Sequence, residues 1–320
     1  MTGGAPLDQL ASELDGLPGV SVRRDAPLGA LTTYGVGGRA AVLAEVADEV
    51  GLGGLATATA RHPVVPVLVV GLGSNMLVAD AGFEGLAVVL GPGFADVAID
   101  GTLVRAGARA KLPVVARQSA AAGLGGFEWA AGVPGSIGGA VRMNAGVPDA
   151  DMADALERVR VVDLRSGEDV EVPAAALDLG YRTSSIRPEQ VVAWAELRLA
   201  PGDPEVARAA IKDKTQWRRD HQPGGRNAGS VFTNPDGDSA GRLIDATGCK
   251  GLRVGSAEVS PKHANFIQAD EGGRAQDVWD LMAEVRRRVH AATGVALHPE
   301  TVLVGLPGLP DLPDSAGERS

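Results

Sequence analysis

The sequence has a single cysteine, few aromatic side chains and no long apolar run. Cys249 has no partner for an internal disulfide, which fits a reducing compartment. Aromatic residues make up 3% of the 320 residues, so a core must be packed mainly with Ala, Val and Leu. The longest apolar stretch, around residues 63–72, is broken by Pro and Gly and is too short to span a bilayer. The N-terminus lacks a basic segment followed by an apolar one, so we expect no signal peptide and a cytoplasmic protein.

Positive charge is also scarce, and several kinds of site are missing. The net charge of −10 makes the chain a poor nonspecific partner for nucleic acid or for an anionic membrane, and we expect neither. No Gly-Lys pair exists, which excludes a P-loop. The segment from Gly35 to Ala40 matches a dinucleotide fingerprint, but a poor strand precedes it and no acidic residue follows at the required distance. The five histidines have no ligand spacing, so no metal is expected: His62, His221, His263, His290 and His298.

The length and the distribution of apolar residues predict two or three domains. Helical patterns cover residues 7–14, 45–61, 111–122, 203–219 and 275–292. Short β-branched runs predict strands at residues 67–70, 87–90, 103–106, 159–162, 170–172 and 191–199. Composition changes at Ala200-Pro201-Gly202-Asp203-Pro204, where we place a boundary. The predicted division is 1–95 and 96–202 for two lobes of one domain, 203–305 for a second domain, and 306–320 for a flexible tail.

Two glycine-rich segments are suited to a diphosphate, because glycine lets backbone N–H groups approach a phosphate closely. The first follows the strand at 67–70, and its candidate residues are Gly71, Gly73, Ser74, Asn75 and Met76. The second lies between Ala131 and Ala140, and its candidates are Gly132, Gly135, Ser136, Gly138 and Gly139. Each segment alone is a weak signal, since most glycine-rich turns are only turns.

Three polar residues far apart in sequence form a possible chemical set. They are Arg182 in Tyr181-Arg182-Thr183-Ser184, Ser230 in Ala228-Gly229-Ser230-Val231-Phe232, and Glu300 in Pro299-Glu300-Thr301-Val302. A guanidinium, a hydroxyl and a carboxyl can bind an unsaturated acid, polarise it and protonate it. Taken singly, each has a plainer interpretation as a surface charge, a turn residue or a strand-edge carboxylate.

Together these segments resemble the UDP-N-acetylenolpyruvoylglucosamine reductase family, from about Ala26 to Gly305. The resemblance implies an α+β fold, with a two-lobed FAD-binding domain of the vanillyl-alcohol-oxidase (PCMH) type and a C-terminal α+β substrate-binding domain. It implies noncovalent FAD, NADPH as co-substrate, and a cytoplasmic monomer. The implied reaction converts UDP-N-acetylglucosamine enolpyruvate to UDP-N-acetylmuramate in peptidoglycan precursor synthesis.

The resemblance also implies roles for single residues. Hydride passes from NADPH to FAD N5 and then to the enolpyruvyl β-carbon, while Arg182 holds the carboxylate, Glu300 stabilises the enolate and Ser230 protonates the α-carbon. Tyr34 is either a flavin-site residue or part of a structural turn. The implied substrate residues are Tyr181, Arg182, Asn234, Lys250, Lys262 and His263. Arg218 and Arg219 are alternatives for the diphosphate, and His263 and Asn265 could instead order a loop.

The chain departs from the family pattern at a few positions. Thr233 stands where a lysine is common, and His298 stands where an acidic residue is common. The short stretch from Arg182 to Ser230 indicates the subgroup that lacks an extra tyrosine-bearing substrate loop. Two other functions stay open: an FAD-dependent oxidase on the same scaffold, and a non-catalytic nucleotide-sugar-binding protein.

Overall fold

The chain forms two compact units, each assembled from separate stretches of sequence. A computed structural model describes residues 4–312. The first unit comprises Met1–Ala26, Ala40–Leu72 and Glu84–Arg218, and the second comprises Pro27–Arg39, Gly73–Phe83 and Arg219–Ser320. These units follow long-range contacts rather than sequence order, so the division into consecutive domains at residues 95, 202 and 305 stays a prediction.

The described residues contain helices and mostly short strands. The helices are α1 (Gly4–Asp15), α2 (Glu49–Ala60), α3 (Leu112–Ala121), α4 (Ile137–Arg142), α5 (Pro204–His221), α6 (Ala240–Ala246) and α7 (Ala275–Thr293). The strands are β1 (Val20–Ala26), β2 (Ala40–Val46), β3 (Val67–Val70), β4 (Met76–Val78), β5 (Phe83–Leu90), β6 (Val97–Asp100), β7 (Leu103–Gly107), β8 (Leu124–Gly125), β9 (Gly146–Val147), β10 (Ala150–Asp151), β11 (Leu156–Asp163), β12 (Asp169–Pro173), β13 (Gln190–Arg198), β14 (Ala200–Pro201), β15 (Arg253–Val254), β16 (Ala257–Val259), β17 (Ile267–Ala269) and β18 (Val302–Val304). No helix in this part of the chain is both long and apolar enough to cross a membrane.

The first unit contains two main sheets. One has the strand order β1-β2-β5-β3, with β1 and β2 antiparallel and β3 and β5 parallel. The other has the order β12-β11-β13-β7-β6, and all its neighbouring strands are antiparallel. Val, Leu and Ala side chains dominate the core, as the scarcity of aromatics predicts. The edge-to-face pair of Phe127 and Trp129, with ring centroids 5.2 Å apart, is an exception.

The start of α2 differs from the prediction. The sequence predicts a helix over residues 45–61, but Ala40–Val46 is a strand and the helix begins only at Glu49. The Asp48 carboxylate accepts a hydrogen bond from Gly51 N at 2.9 Å and caps the helix there. Val42 and Val46 pair with β1, so sheet formation overrides helical periodicity in this segment.

The second unit is built around α7. Its three-stranded antiparallel sheet has the order β15-β16-β17, and β18 pairs in parallel with β4. The predicted apolar stripe of α7 is buried in the core: Val278, Leu281, Met282, Val285 and Val289. The helix ends, as predicted, at Gly294, whose φ is +74°.

The segment after Gly305 is partly ordered, although the sequence predicts a flexible tail from residue 306. Leu306 and Leu309 pack against the core of the second unit, and Trp279 Nε1 donates to Pro307 O at 2.9 Å. Proline and small residues dominate the composition of this segment, so the sequence does not indicate that its leucines pack against the core. Residues 313–320 of the predicted tail lie outside the described residues.

Candidate functional site

A cleft in the first unit brings together part of both glycine-rich segments. Gly71 follows β3, and Ser136 precedes α4 and accepts a hydrogen bond from Gly139 N at 3.4 Å. A Cβ atom on Gly71 would lie 3.0 Å from Ser136 Oγ, so glycine keeps this passage open. Of the predicted cofactor residues, Gly71, Ser136, Gly138 and Gly139 line the cleft. The arrangement is that of a narrow cradle for a small anionic group.

Two arginines that the motif analysis missed also line this cleft. Arg109 donates to Leu90 O, and Arg142 is half-buried at the end of α4. Burial lowers the pKa of Arg142, against the opposing attraction of Glu189. Within residues 4–312, no carboxylate lines the cleft, so an anionic ligand would offset the two guanidinium charges. A basic residue at the end of a glycine-rich helix was the signal available in the sequence.

Gly132 and Gly135 flank the cleft in sequence but are not among its lining residues. Gly135 has φ +148°, a region that disfavours other residues, and its carbonyl accepts from Leu112 N at 3.1 Å. Gly132 O accepts from Arg218 Nη1 at 3.0 Å, and burial lowers the pKa of that guanidinium. In the structure, Arg218 therefore supports the glycine-rich loop.

The rest of the first glycine-rich segment belongs to the second unit. A Cβ on Gly73, which has φ +63°, would lie 2.3 Å from Leu31 O, so this glycine allows close backbone packing. Asn75 Nδ2 donates to Glu300 O at 2.9 Å, while the buried Asn75 Oδ1 has no protein partner among the described residues. Ser74 is half-buried, and Met76 begins β4 with its side chain buried.

Tyr34 lies wholly within the core of the second unit. Its hydroxyl has no hydrogen-bond partner among the described residues, and burial raises its pKa. A side chain with no exposed surface favours the structural alternative over direct contact with a cofactor.

Arg182 occupies a tight turn in the first unit. Gly180 and Thr183 exchange two backbone hydrogen bonds of 3.1 and 3.2 Å and so close the turn. Arg182 itself has φ +57°, which is uncommon for a residue other than glycine. Its Nη2 donates to Gly146 O at 2.7 Å, and its guanidinium lies 5.0 Å from the centre of the ring of Tyr181, which is 57% exposed.

Ser230 and Glu300 lie on neighbouring segments of the second unit. Glu300 N donates to Val231 O at 2.8 Å, and Thr233 N donates to His298 O at 2.9 Å. Phe232 and Pro299 form an antiparallel bridge between these bonds. Both Ser230 and Glu300 are half-buried, so a hydroxyl and a carboxyl are held on one short ladder.

Asn265 orders this ladder. Its buried amide accepts from Phe232 N at 3.0 Å and donates to Phe232 O at 2.8 Å. His263 Nδ1 accepts from Asn265 N at 3.3 Å, and the His263 ring packs edge-to-face on Phe266. Burial and the nearby Lys250 charge lower the pKa of His263. The structure thus places Asn265 in the loop-ordering role.

The remaining predicted substrate residues lie on the surface of the second unit. Asn234 Oδ1 accepts from Ala240 N at 3.0 Å, at the start of α6. Lys250 Nζ lies 2.7 Å from an Asp245 carboxylate oxygen, and Lys262 Nζ donates to Arg219 O. Across residues 4–312, no group of three or more His, Cys, Asp or Glu side chains is arranged to hold a metal ion.

Comparisons with known proteins cover both parts of the chain. The family model described as "UDP-N-acetylenolpyruvoylglucosamine reductase, C-terminal domain" matches residues 221–304, and the model described as "FAD binding domain" matches residues 54–172. The UDP-N-acetylenolpyruvoylglucosamine reductase of Paramagnetospirillum magneticum is 41% identical over 91% of this chain and 95% of its own length. That of Acidiphilium cryptum is 42% identical over 88% of this chain and 91% of its own length.

A solved structure agrees with these matches. The UDP-N-acetylenolpyruvylglucosamine reductase of Thermus caldophilus superposes with a TM-score of 0.76 and 36% identity, over 89% of this chain and 99% of that one. The predicted α+β fold, with an FAD-binding domain and a C-terminal reductase-family domain, is therefore confirmed. On this evidence the chain belongs to the UDP-N-acetylenolpyruvoylglucosamine reductase family.

Proposed function

We propose that this protein is an FAD-dependent reductase that converts UDP-N-acetylglucosamine enolpyruvate to UDP-N-acetylmuramate, with NADPH as reductant, in peptidoglycan precursor synthesis. Family membership supports the reaction. The observation that carries the chemistry is the ladder that holds Ser230 and Glu300 on adjacent segments. Because nucleotide sugars and NADPH are cytoplasmic compounds, we expect the enzyme to act there, and we expect a monomer.

The first-unit cleft fits part of a dinucleotide cofactor. Gly71, Gly138 and Gly139 leave the backbone accessible, Ser136 offers a hydroxyl, and Arg142 is a half-buried cation that lines the cleft. These residues would hold the diphosphate of noncovalent FAD. Ser74 and Asn75, which belong to the second unit, stay predicted cofactor residues. When bound, FAD supplies two-electron hydride chemistry that no side chain of this protein provides.

Arg182 would bind the substrate carboxylate. A guanidinium presents parallel N–H donors that match a carboxylate in fork geometry, which a lysine ammonium cannot reproduce. Its position on a tight turn, with one donor engaged by Gly146 O, fixes the orientation of the plane. The bound carboxylate then withdraws electron density from the enolpyruvyl double bond.

Ser230 and Glu300 would complete the reduction. As the β-carbon gains a hydride, the double-bond electrons move toward the α-carbon and the carboxylate, and Glu300 in its protonated form would stabilise that charge by hydrogen bonding. Ser230 Oγ would then give its proton to the α-carbon, which leaves a saturated lactyl ether. The UDP part would be held by Tyr181, Asn234, Lys250, Lys262 and His263.

The test is the Ser230→Ala variant in stopped flow. Positioned acid catalysis contributes roughly 10²–10⁴-fold, so reoxidation of the reduced flavin by the enolpyruvyl substrate should slow by about two orders of magnitude or more. Flavin bleaching by NADPH should keep its rate, because no substrate proton is transferred in that step. Ser12→Ala, which removes an exposed helix hydroxyl, is the matched control and should leave both rates unchanged.

The same experiment separates the other functions. If the enolpyruvyl substrate reoxidises the flavin of Ser230→Ala at the wild-type rate, then a group other than Ser230 donates the proton. Rapid reoxidation by oxygen, without a response to the enolpyruvyl substrate, would instead identify an oxidase. A protein that carries no flavin and binds only the nucleotide sugar would contradict the proposal altogether.

A further inference from the structure

Asn144 is a buried amide at an unusual backbone position in the first unit. It follows α4, its side chain is 2% exposed, and its φ is +38°. The left-handed region is costly for most side chains but is tolerated by asparagine. Neither the glycine-rich motifs nor the predicted catalytic set includes this residue.

The Asn144 side chain uses both its donors and its acceptor. Its Nδ2 donates to Gly180 O and to an Asp151 carboxylate oxygen, each at 3.0 Å, and its Oδ1 accepts from Ala153 N at 2.9 Å. The two donors face acceptors and the acceptor faces an N–H, so only one orientation of the amide satisfies all three partners. The side chain therefore joins the β9–β10 hairpin to the turn at Gly180.

That turn carries Arg182, and the loop that contains Asn144 also holds the Arg182 side chain. Gly146, two residues after Asn144, accepts the hydrogen bond from Arg182 Nη2 at 2.7 Å. Gly146 itself pairs with Asp151 across the hairpin. The three-residue segment from Asn144 to Gly146 thus fixes both the backbone before Arg182 and the guanidinium.

The conformation of Arg182 needs such support. A residue other than glycine with φ +57° carries backbone strain of roughly 1–2 kcal/mol, and the turn would relax if its surroundings did not hold it. Ser184 Oγ donates to Arg142 O at 2.7 Å and anchors the far side of the turn to α4. Without the Asn144 amide, Gly180 O would lose its hydrogen bond to the loop that follows α4, and the turn would be held less firmly beside Gly146.

We propose that Asn144 is a positioning residue for Arg182, which it holds in the geometry that receives the substrate carboxylate. This inference rests on the proposed role of Arg182. Aspartate at this position would keep the shape but lose both donors, and it would place a second carboxylate beside Asp151. Its effect should fall on the substrate half-reaction, because Arg182 takes no part in flavin reduction.

Asn144→Asp is the test variant, and Asn144→Gly is the second, since glycine accepts positive φ and removes only the side chain. In stopped flow, both should raise the apparent Kd for the enolpyruvyl substrate by about 10-fold, which corresponds to about 1.4 kcal/mol. Flavin content and the rate of bleaching by NADPH should stay at wild-type values. Thr57→Ala, which removes an exposed hydroxyl bonded to Gly53 O within α2, is the control and should not change substrate affinity.

A double variant decides between positioning and general damage. If Asn144 acts through Arg182, then Asn144→Asp should cause little further loss in an Arg182→Ala background. Additive losses, or equal damage to both half-reactions, would overturn the inference. If Arg182→Ala itself leaves the substrate half-reaction unchanged, the proposed role of Arg182 fails instead, and the two failures are thereby distinguished.

Discussion

At the scale of single residues, backbone strain is concentrated near Arg182. Among the described residues other than glycine, φ is positive at Asp25, Asn144, Asp178 and Arg182. Aspartate and asparagine tolerate this region because their short polar side chains bond locally, whereas arginine has no such compensation. A strained arginine held from two sides fits the proposed role of its guanidinium in binding the substrate carboxylate.

Two substitutions of Arg182 should separate charge, fork geometry and strain. Arg182→Lys keeps the charge but loses the fork, so substrate reduction should slow by about 10- to 100-fold, equal to 1.4–2.8 kcal/mol, while flavin reduction by NADPH changes little. Arg182→Gly relieves the positive φ and should leave the free energy of unfolding equal or higher, with substrate reduction almost lost. Half-reaction kinetics and urea unfolding measure the two effects. A less stable Arg182→Gly protein would contradict the strain argument.

The cleft gives a second prediction at the residue scale. In Gly71→Val, a branched side chain would occupy the passage beside Ser136 Oγ, and a clash of roughly 1–3 kcal/mol corresponds to about 5- to 150-fold weaker FAD binding. Quenching of flavin fluorescence on titration of the apoprotein measures this affinity. Gly53→Val is the matched control, because a Cβ on Gly53 meets nothing within 4 Å, and its affinity should not change. Equal losses in both variants would mean that the cleft does not hold the cofactor.

The sequence predicted those residues that belong to local motifs, because a motif is defined by neighbours along the chain. Gly71, Ser136, Gly138 and Gly139 stand in local motifs, and the structure brings them to one cleft. Arg109, Arg142 and Asn144 were missed because their roles depend on partners distant in sequence. Asn144 and Gly180, for example, are 36 positions apart, and no local pattern records that contact.

At the scale of elements, helices with a strong apolar stripe were the easiest to predict. The apolar stripe predicted for α7 is the one that is buried in the structure, because the helical spacing repeats over 19 residues. The β2–α2 boundary was wrong, since the pairing of β2 with β1 is a tertiary effect that periodicity does not contain. The exposed face of α7 carries a charge cluster that makes a separate prediction.

Glu284 on α7 should contribute pH-dependent stability. It accepts hydrogen bonds from Arg287 at 2.8 Å and from Arg288 at 2.6 Å, which lower its pKa from 4.5 to about 2. A carboxyl whose pKa is lowered on folding stabilises the protein fully above the unfolded value and loses that contribution as pH falls from about 4.5 to about 2. Glu284→Gln should therefore lower the free energy of unfolding at pH 7 by less than about 1 kcal/mol.

Urea unfolding at several pH values measures this contribution. The difference between wild type and Glu284→Gln should be constant from pH 7 to pH 5.5 and should shrink steadily below about pH 4.5. Glu271→Gln, at a side chain that is 89% exposed, serves as the comparison. A difference that persists unchanged to pH 3 would show that packing, rather than the carboxylate charge, supports the helix.

At the scale of the whole molecule, the chain order does not follow the compact units. The stretches Pro27–Arg39 and Gly73–Phe83 belong with the C-terminal part of the chain. The parallel pairing of β4 with β18 shows why, since Met76 lies opposite Val302. Composition changes predict boundaries along the chain, but they carry no information about an early strand that pairs with a late one. The glycine-rich segment at 71–76 is split between the units for the same reason.

Removal of FAD provides the prediction at this scale. A ligand that binds only the folded protein stabilises it by RT ln(1 + [L]/Kd), which is about 2.7 kcal/mol when free ligand is 100 times Kd. The protein should purify yellow and release its flavin on acid denaturation, because the residues that we propose bind FAD offer hydrogen bonds and charge but form no covalent bond to it. The apoprotein should unfold several degrees below the holoprotein, and its Tm should rise with added FAD. Riboflavin, which lacks the diphosphate that we propose the cleft residues bind, should raise the Tm much less at the same concentration. A Tm that responds equally to both flavins would mean that Arg142 and the glycines do not bind the diphosphate, whereas a Tm that responds to neither would exclude a resident flavin.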